Sequence, residues 1–362
     1  MTRHLVVDIS GHGYGHAAQT APVLRRLKER LPDLRVTFRT RVPVRFLEEA
    51  VGAGFATAAP PPDVTLLMHG PVDVDVEPSA DAYARLHADW PAVVEREARR
   101  LSDLAPDLLL GNVGYTGLAA AARAGIPAAA FCSLNWADIY RTYCGHRPEA
   151  AVIHTDIVEA YRSAAVFLQP TPHLPMDDLP NRRSIGPVAR RAADRREALR
   201  RAVGAGSGER LVLMTFGGIP GSGDLIRLPE VAGARWLVTP DLMNGIAGRG
   251  DVVSTDALGL SFLDLIGNSD LVVTKPGYGT IVEAVCNGTP VLITGRPDWP
   301  ETPRFVAWAE ACGVAAVIDR AAAEAGAFGE AVGTLLDRPP PAPPPASGVD
   351  EAAACLADLL GG

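Results

Sequence analysis

The sequence lacks any long apolar run, although 48% of its 362 residues are hydrophobic. Glycine, proline or a charged residue interrupts every apolar stretch before it reaches the about 20 residues that a membrane helix needs. No leader with a charged, then an apolar, then a small-residue part precedes the first predicted strand, at 5–9. We therefore expect a cytoplasmic protein without a transmembrane segment, long enough for two compact domains.

Cysteine, lysine and net positive charge are also scarce. The cysteines are odd in number, scattered and free of CxxC spacing, which argues against a disulfide framework and a zinc site. They are expected to be small core residues: Cys132, Cys144, Cys286, Cys312 and Cys355. The formal net charge of −8 argues against a nucleic-acid partner. One Arg-rich stretch, 182–201, fits either a basic face for an anionic partner or a solvated helix after a linker.

Short β-type runs alternate with amphipathic helical segments, which predicts parallel strands joined by crossover helices. The expected fold class is therefore α/β, with two Rossmann-like domains facing across a cleft. Proline-rich, aperiodic sequence near 180–200 marks the boundary. We predict an N-terminal domain over 1–185, a C-terminal domain over 200–337, and a proline-rich linker with a terminal helix over 338–362.

The most informative segment joins a predicted strand to a helix predicted over 281–287, through the loop Lys-Pro-Gly-Tyr-Gly-Thr. Gly277 and Gly279 allow a ligand to approach the backbone, and a helix N-terminus attracts anions. Lys275, one of only two lysines among the 34 basic residues, adds a positive charge. The loop indicates a diphosphate site, with Glu283 one turn further on to accept hydrogen bonds from sugar hydroxyls. An ordinary strand-to-helix turn is the alternative.

A second glycine-rich loop, Ser-Gly-His-Gly-Tyr-Gly-His at 10–16, follows the first predicted strand. Ligands collect at the carboxyl ends of parallel strands, so His12 and His16 are expected at the mouth of the cleft. A neutral histidine can serve as a general base, and a purely structural role is the alternative. The glycine spacing fails the dinucleotide fingerprint. An NADP site stays open, because Arg39 or Arg41 after the next strand could bind a 2′-phosphate.

With both loops identified, the chain resembles the glycosyltransferases of the GT-B fold. It is most similar to the glycosyltransferase-like module of L-arabinokinases and its stand-alone bacterial relatives. The resemblance extends from Gly11 to about Ile318 through five motifs in order. They are Gly-His-Gly-Tyr-Gly-His at 11–16, Phe-Cys-Ser-Leu-Asn-Trp-Ala-Asp-Ile-Tyr at 131–140, Phe-Gly-Gly at 216–218, Lys-Pro-Gly-Tyr-Gly-Thr-Ile-Val-Glu-Ala at 275–284 and Arg-Pro-Asp-Trp-Pro-Glu at 296–301.

The resemblance implies that the C-terminal domain binds a nucleotide-sugar donor, without a metal or another cofactor. The implied diphosphate-binding residues are Gly217, Gly218, Lys275, Gly277, Gly279 and Thr280. Lys275 stands where plant-type UDP-glycosyltransferases carry a phosphate-binding histidine. Glu283 matches the glutamate that holds the ribose hydroxyls, and Glu301 lies near the acidic residue used on the donor sugar.

The resemblance also implies that His16 is the base that deprotonates an acceptor hydroxyl, so that attack from the face opposite the diphosphate inverts the anomeric carbon. Relatives often pair this base with an aspartate, where this chain has Asn112. Asn112 can hydrogen-bond His16 but cannot stabilise an imidazolium by charge. Asp138 is the candidate substitute.

The segment 135–143 combines aromatic and polar side chains after a predicted strand, a composition suited to the apolar face and hydroxyls of a sugar. The predicted acceptor-binding residues are His12, Tyr14, Asn135, Trp136 and Tyr140. A half-buried helix start capped by Asn135 is the alternative.

Together these features predict an inverting, metal-independent glycosyltransferase that moves a sugar from a nucleotide sugar, with UDP-sugar as the expected donor, to a hydroxyl acceptor. One alternative is a nucleotide-sugar epimerase or hydrolase of the same fold. The other is a non-catalytic nucleotide-sugar-binding protein.

Overall fold

The computed structural model describes residues 2–11, 14–68, 73–216, 227–243, 246, 248–296, 298–313, 315–340 and 342–361. The chain divides into two compact units, each built around one parallel sheet. The first unit comprises Met1–His69, Val74–Val188 and Ser347–Gly362, and the second comprises Gly70–Asp73 and Ala189–Ala346. Two parallel sheets confirm the predicted α/β fold class.

The first unit has a seven-stranded sheet in the order β3-β2-β1-β4-β5-β6-β7. Its strands are β1 (His4–Ile9), β2 (Arg35–Thr40), β3 (Ala56–Ala58), β4 (Leu108–Asn112), β5 (Ala128–Phe131), β6 (Val166–Pro170) and β7 (Arg182–Ile185). Its helices are α1 (Gly15–Arg30), α2 (Val44–Val51), α3 (Val76–His87), α4 (Trp90–Leu104), α5 (Thr116–Ala124), α6 (Trp136–Cys144), α7 (Ala150–Arg162) and α14 (Gly348–Leu359).

The central strands β1 and β4 are continuous buried runs. This pattern is typical of a parallel sheet that helices cover on both faces. The predicted strand at 108–110 continues to Asn112, because Gly111 and Asn112 pair with Asp8 and Ile9 of β1. The carboxyl ends of β1 and β4 therefore lie side by side.

A buried ion pair joins β1 to β2. The register sets Asp8 opposite Arg39, and Arg39 donates from Nε and Nη2 to the two carboxylate oxygens over 2.7 and 2.6 Å. Both residues are 1% exposed. Because Asp8 occupies both of these guanidinium donors inside the core, Arg39 cannot bind the 2′-phosphate of an NADP, which removes one of the two arginines of that alternative.

Helix α14 packs against α1. Arg26 of α1 donates to Asp350 over 2.5 Å, and Gly348 N–H donates to the Pro187 carbonyl over 3.1 Å. A Cβ on Gly348 would lie 2.0 Å from the Gly186 carbonyl oxygen, so only glycine allows this approach of α14 to the chain. The terminal helix predicted within 338–362 thus belongs to the first unit.

The second unit has a six-stranded sheet in the order β10-β9-β8-β11-β12-β13. Its strands are β8 (Arg210–Thr215), β9 (Ala234–Val238), β10 (Val252–Ser254), β11 (Leu271–Thr274), β12 (Val291–Thr294) and β13 (Ala315–Ile318). Its helices are α8 (Arg196–Ala202), α9 (Phe262–Asn268), α10 (Tyr278–Cys286), α11 (Thr302–Ala311), α12 (Arg320–Ala325) and α13 (Gly329–Leu336), with short 3₁₀ turns at Pro240–Leu242 and Thr255–Leu258.

Several side chains of the Arg-rich stretch are tied to acceptors in their own unit. Arg196 pairs with Asp270 at 2.6 Å, and Arg200 donates to the Glu209 carbonyl over 2.8 Å. Arg182 donates to the Leu179 carbonyl over 2.9 Å. These contacts favour a structural role for the stretch over a basic face for an anionic partner.

The five cysteines are free thiols, four of them buried and Cys312 half-buried, as expected of small core residues. Among the described helices, none is both long and apolar enough to cross a bilayer.

Candidate functional site

In the second unit, β11 ends directly before Lys275, and α10 begins at Tyr278 with Gly277 in extended conformation ahead of it. The helix predicted from residue 281 therefore starts three residues earlier, and the prediction of a longer loop was wrong. Gly279 and Thr280 lie in the first turn of α10. N–H groups of a first turn have no partner within their helix, and the N-cap residue of α10, Gly277, has no side chain to cap them.

Lys275 is half-buried at this helix N-terminus. Burial and, to a smaller extent, the nearby Arg296 guanidinium lower the pKa of Lys275 to about 8. Among the described residues, no carboxylate lies within ion-pair distance of its Nζ. A buried positive charge without a counter-charge is costly, so this position favours an anionic ligand.

Few described atoms lie near the backbone of this turn. In the described part of the chain, a Cβ added to Gly279 would meet no atom within 4 Å, and one added to Gly277 would meet only the Lys275 carbonyl oxygen, at 4.0 Å. A ligand can therefore approach the backbone of these two residues. Gly217 and Gly218, the other predicted diphosphate-binding residues, lie outside the described residues.

Glu283, predicted to hold ribose hydroxyls, is already paired. Arg190 donates from Nε and Nη2 to its two carboxylate oxygens over 2.6 and 3.2 Å. Asn287, one turn further along, donates to the Arg190 carbonyl and so fixes the segment that carries the arginine. Arg190 lies 93 positions away in sequence, which is why no local pattern revealed the pair.

Glu301 lies in the second unit at the N-terminus of α11 and is 5% exposed. Its Oε2 accepts a hydrogen bond from Trp299 Nε1 over 3.1 Å, and the Arg296 guanidinium lies over the Trp299 ring at 4.5 Å. The predicted donor-sugar residue therefore orients Trp299, and through Trp299 it supports the arginine next to Lys275.

In the first unit, His16 lies in the first turn of α1 and is buried. Its Nδ1 is 3.0 Å from Asn112 Oδ1, at the end of the neighbouring strand β4, and 3.7 Å from Cys132 Sγ. Burial lowers the pKa of His16 to about 4, partly offset by the hydrogen bond to Asn112. The imidazole is therefore neutral at cellular pH. His12 lies outside the described residues.

The carboxylate of Asp138 does not serve His16 in this structure. It accepts from Asn135 Nδ2 over 2.8 Å and from Arg141 Nη2 over 2.7 Å. Arg141 also donates to Asp178 over 2.9 Å, which makes an ion-pair network at the start of α6. The structure thus gives Asp138 other partners because its helix turn directs it to Arg141, one turn away.

The segment 135–143, predicted to bind the acceptor, forms a helix start capped by Asn135, which was the alternative interpretation of its sequence. Asn135 Oδ1 accepts from the Asp138 N–H over 2.8 Å, and Trp136 and Tyr140 are 0% exposed. Their rings therefore belong to the core, where they cannot stack on a sugar. Tyr14 is 48% exposed and stacks on Phe46 at 4.7 Å.

Asp63 is a carboxylate of the first unit that no sequence pattern indicates as a site residue. Asp63 accepts from the Thr116 N–H over 3.0 Å and so caps α5 from a proline-flanked loop. Burial raises its pKa to about 6. With Ser10, Gly11 and Arg41 it lines a pocket at the carboxyl ends of β1 and β2. The 53 positions between Asp63 and Thr116 explain why spacing gave no signal.

The fold is similar to that of solved glycosyltransferase structures. A spinosyn rhamnosyltransferase in complex with thymidine diphosphate is 17% identical, with a TM-score of 0.58 over 99% of this chain and 96% of that one. A UDP-glucosyltransferase from Polygonum tinctorium, capable of glucosylating indoxyl, is 13% identical, with a TM-score of 0.59 over 99% and 93%. The chain has the GT-B glycosyltransferase fold.

Sequence comparison adds a distant homologue. L-arabinokinase of Arabidopsis thaliana is 24% identical over 315 residues, which are 83% of this chain. The chain spans only 29% of the length of that kinase. No family model matches the sequence. The predicted resemblance to the GT-B fold and to L-arabinokinase is confirmed.

Proposed function

We propose that this GT-B protein is an inverting, metal-independent glycosyltransferase that moves a sugar from a UDP-sugar to a hydroxyl acceptor. The observation that carries the proposal is Lys275, a half-buried ammonium without a carboxylate partner among the described residues, at the N-terminus of α10. The GT-B fold and solved neighbours that are glycosyltransferases support it.

The donor diphosphate would lie against the first turn of α10. Its negative charge would compensate Lys275 and Arg296, and the N–H groups of Gly279 and Thr280 would donate to its oxygens. The described residues leave room for this approach beside Gly277 and Gly279. These interactions strengthen as charge develops on the leaving diphosphate, so they favour bond cleavage without a metal ion.

The ribose would bind at Glu283 together with Arg190. A bidentate pair uses one lone pair on each carboxylate oxygen, and the remaining lone pairs can accept from two neighbouring hydroxyls. Arg190 then serves to orient the carboxylate. Glu301, through Trp299, would border the donor sugar.

His16 would accept the acceptor proton. As the acceptor oxygen bonds to the anomeric carbon, the bond from that carbon to the diphosphate oxygen breaks and the hydroxyl proton passes to Nε2 of His16. Since the pKa of His16 is about 4, the base is in its neutral, proton-accepting form throughout the physiological range. Attack opposite the leaving group gives inversion.

The test begins with donor binding. A ligand at 100 times its Kd stabilises a protein by about 2.7 kcal/mol, which a thermal shift detects. We expect UDP or UDP-sugars to stabilise the wild type. TDP is the first comparison, because one of the neighbours was solved with thymidine diphosphate. Failure of every nucleoside diphosphate to bind would overturn the donor site.

A non-catalytic nucleotide-sugar-binding protein is the second candidate. It is favoured by Asn112, because the buried His16 has a neutral amide where relatives often have a carboxylate. Incubation of a bound nucleotide sugar with a mixture of hydroxyl acceptors separates the two, since only the transferase yields a glycoside. Release of free or epimerised sugar without any acceptor would indicate the hydrolase or epimerase instead.

A further inference from the structure

The hydroxyl group of Thr20 determines which groups donate and which accept in the hydrogen bonds around His16. Thr20 is fully buried one turn after His16 in α1. Its hydroxyl donates to the His16 carbonyl oxygen over 2.8 Å. A carbonyl oxygen only accepts, so the single hydroxyl proton of Thr20 is committed there. The contact from Thr20 Oγ1 to Asn112, at 2.7 Å, must therefore use the hydroxyl oxygen as an acceptor.

The accepting role of Thr20 Oγ1 fixes the orientation of the Asn112 side-chain amide. Its Nδ2 faces Thr20 Oγ1, the Gln19 side-chain oxygen at 3.2 Å and the His16 carbonyl oxygen at 3.3 Å. All three positions accept hydrogen bonds. The reversed amide would set Oδ1 against a carbonyl oxygen and two further acceptors. Oδ1 therefore faces His16 Nδ1, at 3.0 Å, and accepts its proton.

We propose that Thr20 and Asn112 are positioning residues that hold His16 as the neutral tautomer with its proton on Nδ1. Nε2 then carries the lone pair, which is the atom that takes the acceptor proton in the proposed transfer. The use of Nε2 rests on the proposed function, whereas the tautomer does not. After proton transfer, Nδ1–H still donates to Asn112, so the ring keeps its orientation through the reaction.

The surroundings of His16 keep the ring uncharged. Besides Asn112, the described groups that face it are Cys132 Sγ, at 3.7 Å, and the Trp136 ring, with centroids 6.2 Å apart. Thr20 and Gln19, on its own helix, are also uncharged. In the described part of the chain, no charged side chain shifts the pKa of His16. An amide therefore orients the ring without stabilising the imidazolium, which a carboxylate would do.

The tautomer can be measured directly by nuclear magnetic resonance of the full chain labelled with ¹⁵N in histidine. The chain has eight histidines, and the signals that disappear in His16→Gln assign the ring. We expect a neutral ring with a protonated Nδ1 from pH 8 down to pH 5. A ring protonated on Nε2 in the wild type would overturn the proposal.

Three variants test the hydrogen-bond relay from Thr20 through Asn112 to His16. Thr20→Val keeps the shape but removes the hydroxyl, and should convert the single tautomer into a mixture, whereas Thr20→Ser should retain the wild-type spectrum. Asn112→Asp should raise the pKa of His16 by at least one unit, since it adds a negative charge at the same atom. Unchanged His16 signals in a folded Thr20→Val variant would refute the role of Thr20.

The result for the His16 tautomer can be distinguished from the result for the proposed transferase function. If Thr20→Val does not fold, the Thr20→Ser and Asn112→Asp spectra still decide: an altered tautomer in the first or an unshifted pKa in the second contradicts the relay. The expected spectra together with an absence of transfer to any acceptor would leave the tautomer established and refute the transferase.

Discussion

Gly279→Ala tests the donor site with an internal control for folding. Gly279 lies in the first turn of α10, and an added Cβ meets no atom within 4 Å. Alanine should therefore stabilise the free protein by roughly 0.5 to 1 kcal/mol, because it favours the helix and restricts the unfolded chain. The variant should be at least as stable as the wild type.

Its affinity for a nucleoside diphosphate should nevertheless fall. The new methyl group would occupy the space through which the diphosphate reaches the α10 amides. Loss of one charge-assisted hydrogen bond costs about 1.5 to 3 kcal/mol, which corresponds to a roughly 10- to 150-fold higher Kd. Titration calorimetry with UDP measures the affinity, and urea unfolding measures the stability.

Gly333→Ala is the matched control. Gly333 lies inside α13 of the same unit, and a Cβ added there also meets no atom within 4 Å. It should give a similar gain in stability without a change in UDP affinity. If Gly279→Ala binds UDP as tightly as Gly333→Ala and the wild type do, the diphosphate does not rest on the N-terminus of α10.

Further predictions concern Lys275, Glu283 and His16. Because the pKa of Lys275 is about 8, its neutral amine appears as the pH rises through that value, so UDP affinity should fall above pH 8. An acylating reagent at pH 8 should modify Lys275, and bound UDP should protect Lys275 from this modification. Mass mapping should find no protection by UDP at the control residue Lys28. Equal protection of both lysines would contradict a diphosphate site at Lys275. Glu283→Gln should weaken UDP binding more than 2′-deoxy-UDP binding, and equal losses would move the ribose elsewhere. His16→Ala should slow transfer by about 10²- to 10⁴-fold with donor affinity nearly unchanged, whereas His12→Ala should slow it less. In the wild type kcat/KM should stay flat from pH 7 to pH 5 and, on the acid side, fall only towards pH 4, since His16 is neutral above a pKa of about 4; a limb near 6.5 would contradict the burial of His16.

The strands were predictable because buried parallel strands are continuous apolar runs. The strands predicted at 5–9 and 108–110 are both present, as β1 and β4. The ends were less predictable where polar or flexible residues continue an element. Asn112 extends β4 because strand pairing, which no local pattern encodes, holds it in the sheet. Gly279 suggests a loop in sequence but lies in the first turn of α10, where glycine is tolerated.

Only the loops of the candidate site and Lys275 were predictable from the sequence, whereas the partners of its side chains were not. Sequence identified the two strand-to-helix loops and Lys275, because glycine spacing and a rare residue are local signals. Partners from distant parts of the chain were not predictable: Arg190 for Glu283 and Asp63 for Thr116 are brought together by the fold alone. At Asn135 the local signal was present but was given less weight. The sequence indicated a helix cap there, and the aromatic residues that follow led to the prediction of an acceptor site.

The position of α14 has a consequence for the order in which the protein is made. This helix completes the first unit, yet it follows the whole second unit in the chain. At about 5 to 20 residues per second, a ribosome needs on the order of 10 s to synthesise the intervening segment. Until α14 has been synthesised, it cannot cover its surface on α1. The packing of the first unit is therefore completed only after the whole second unit has been made.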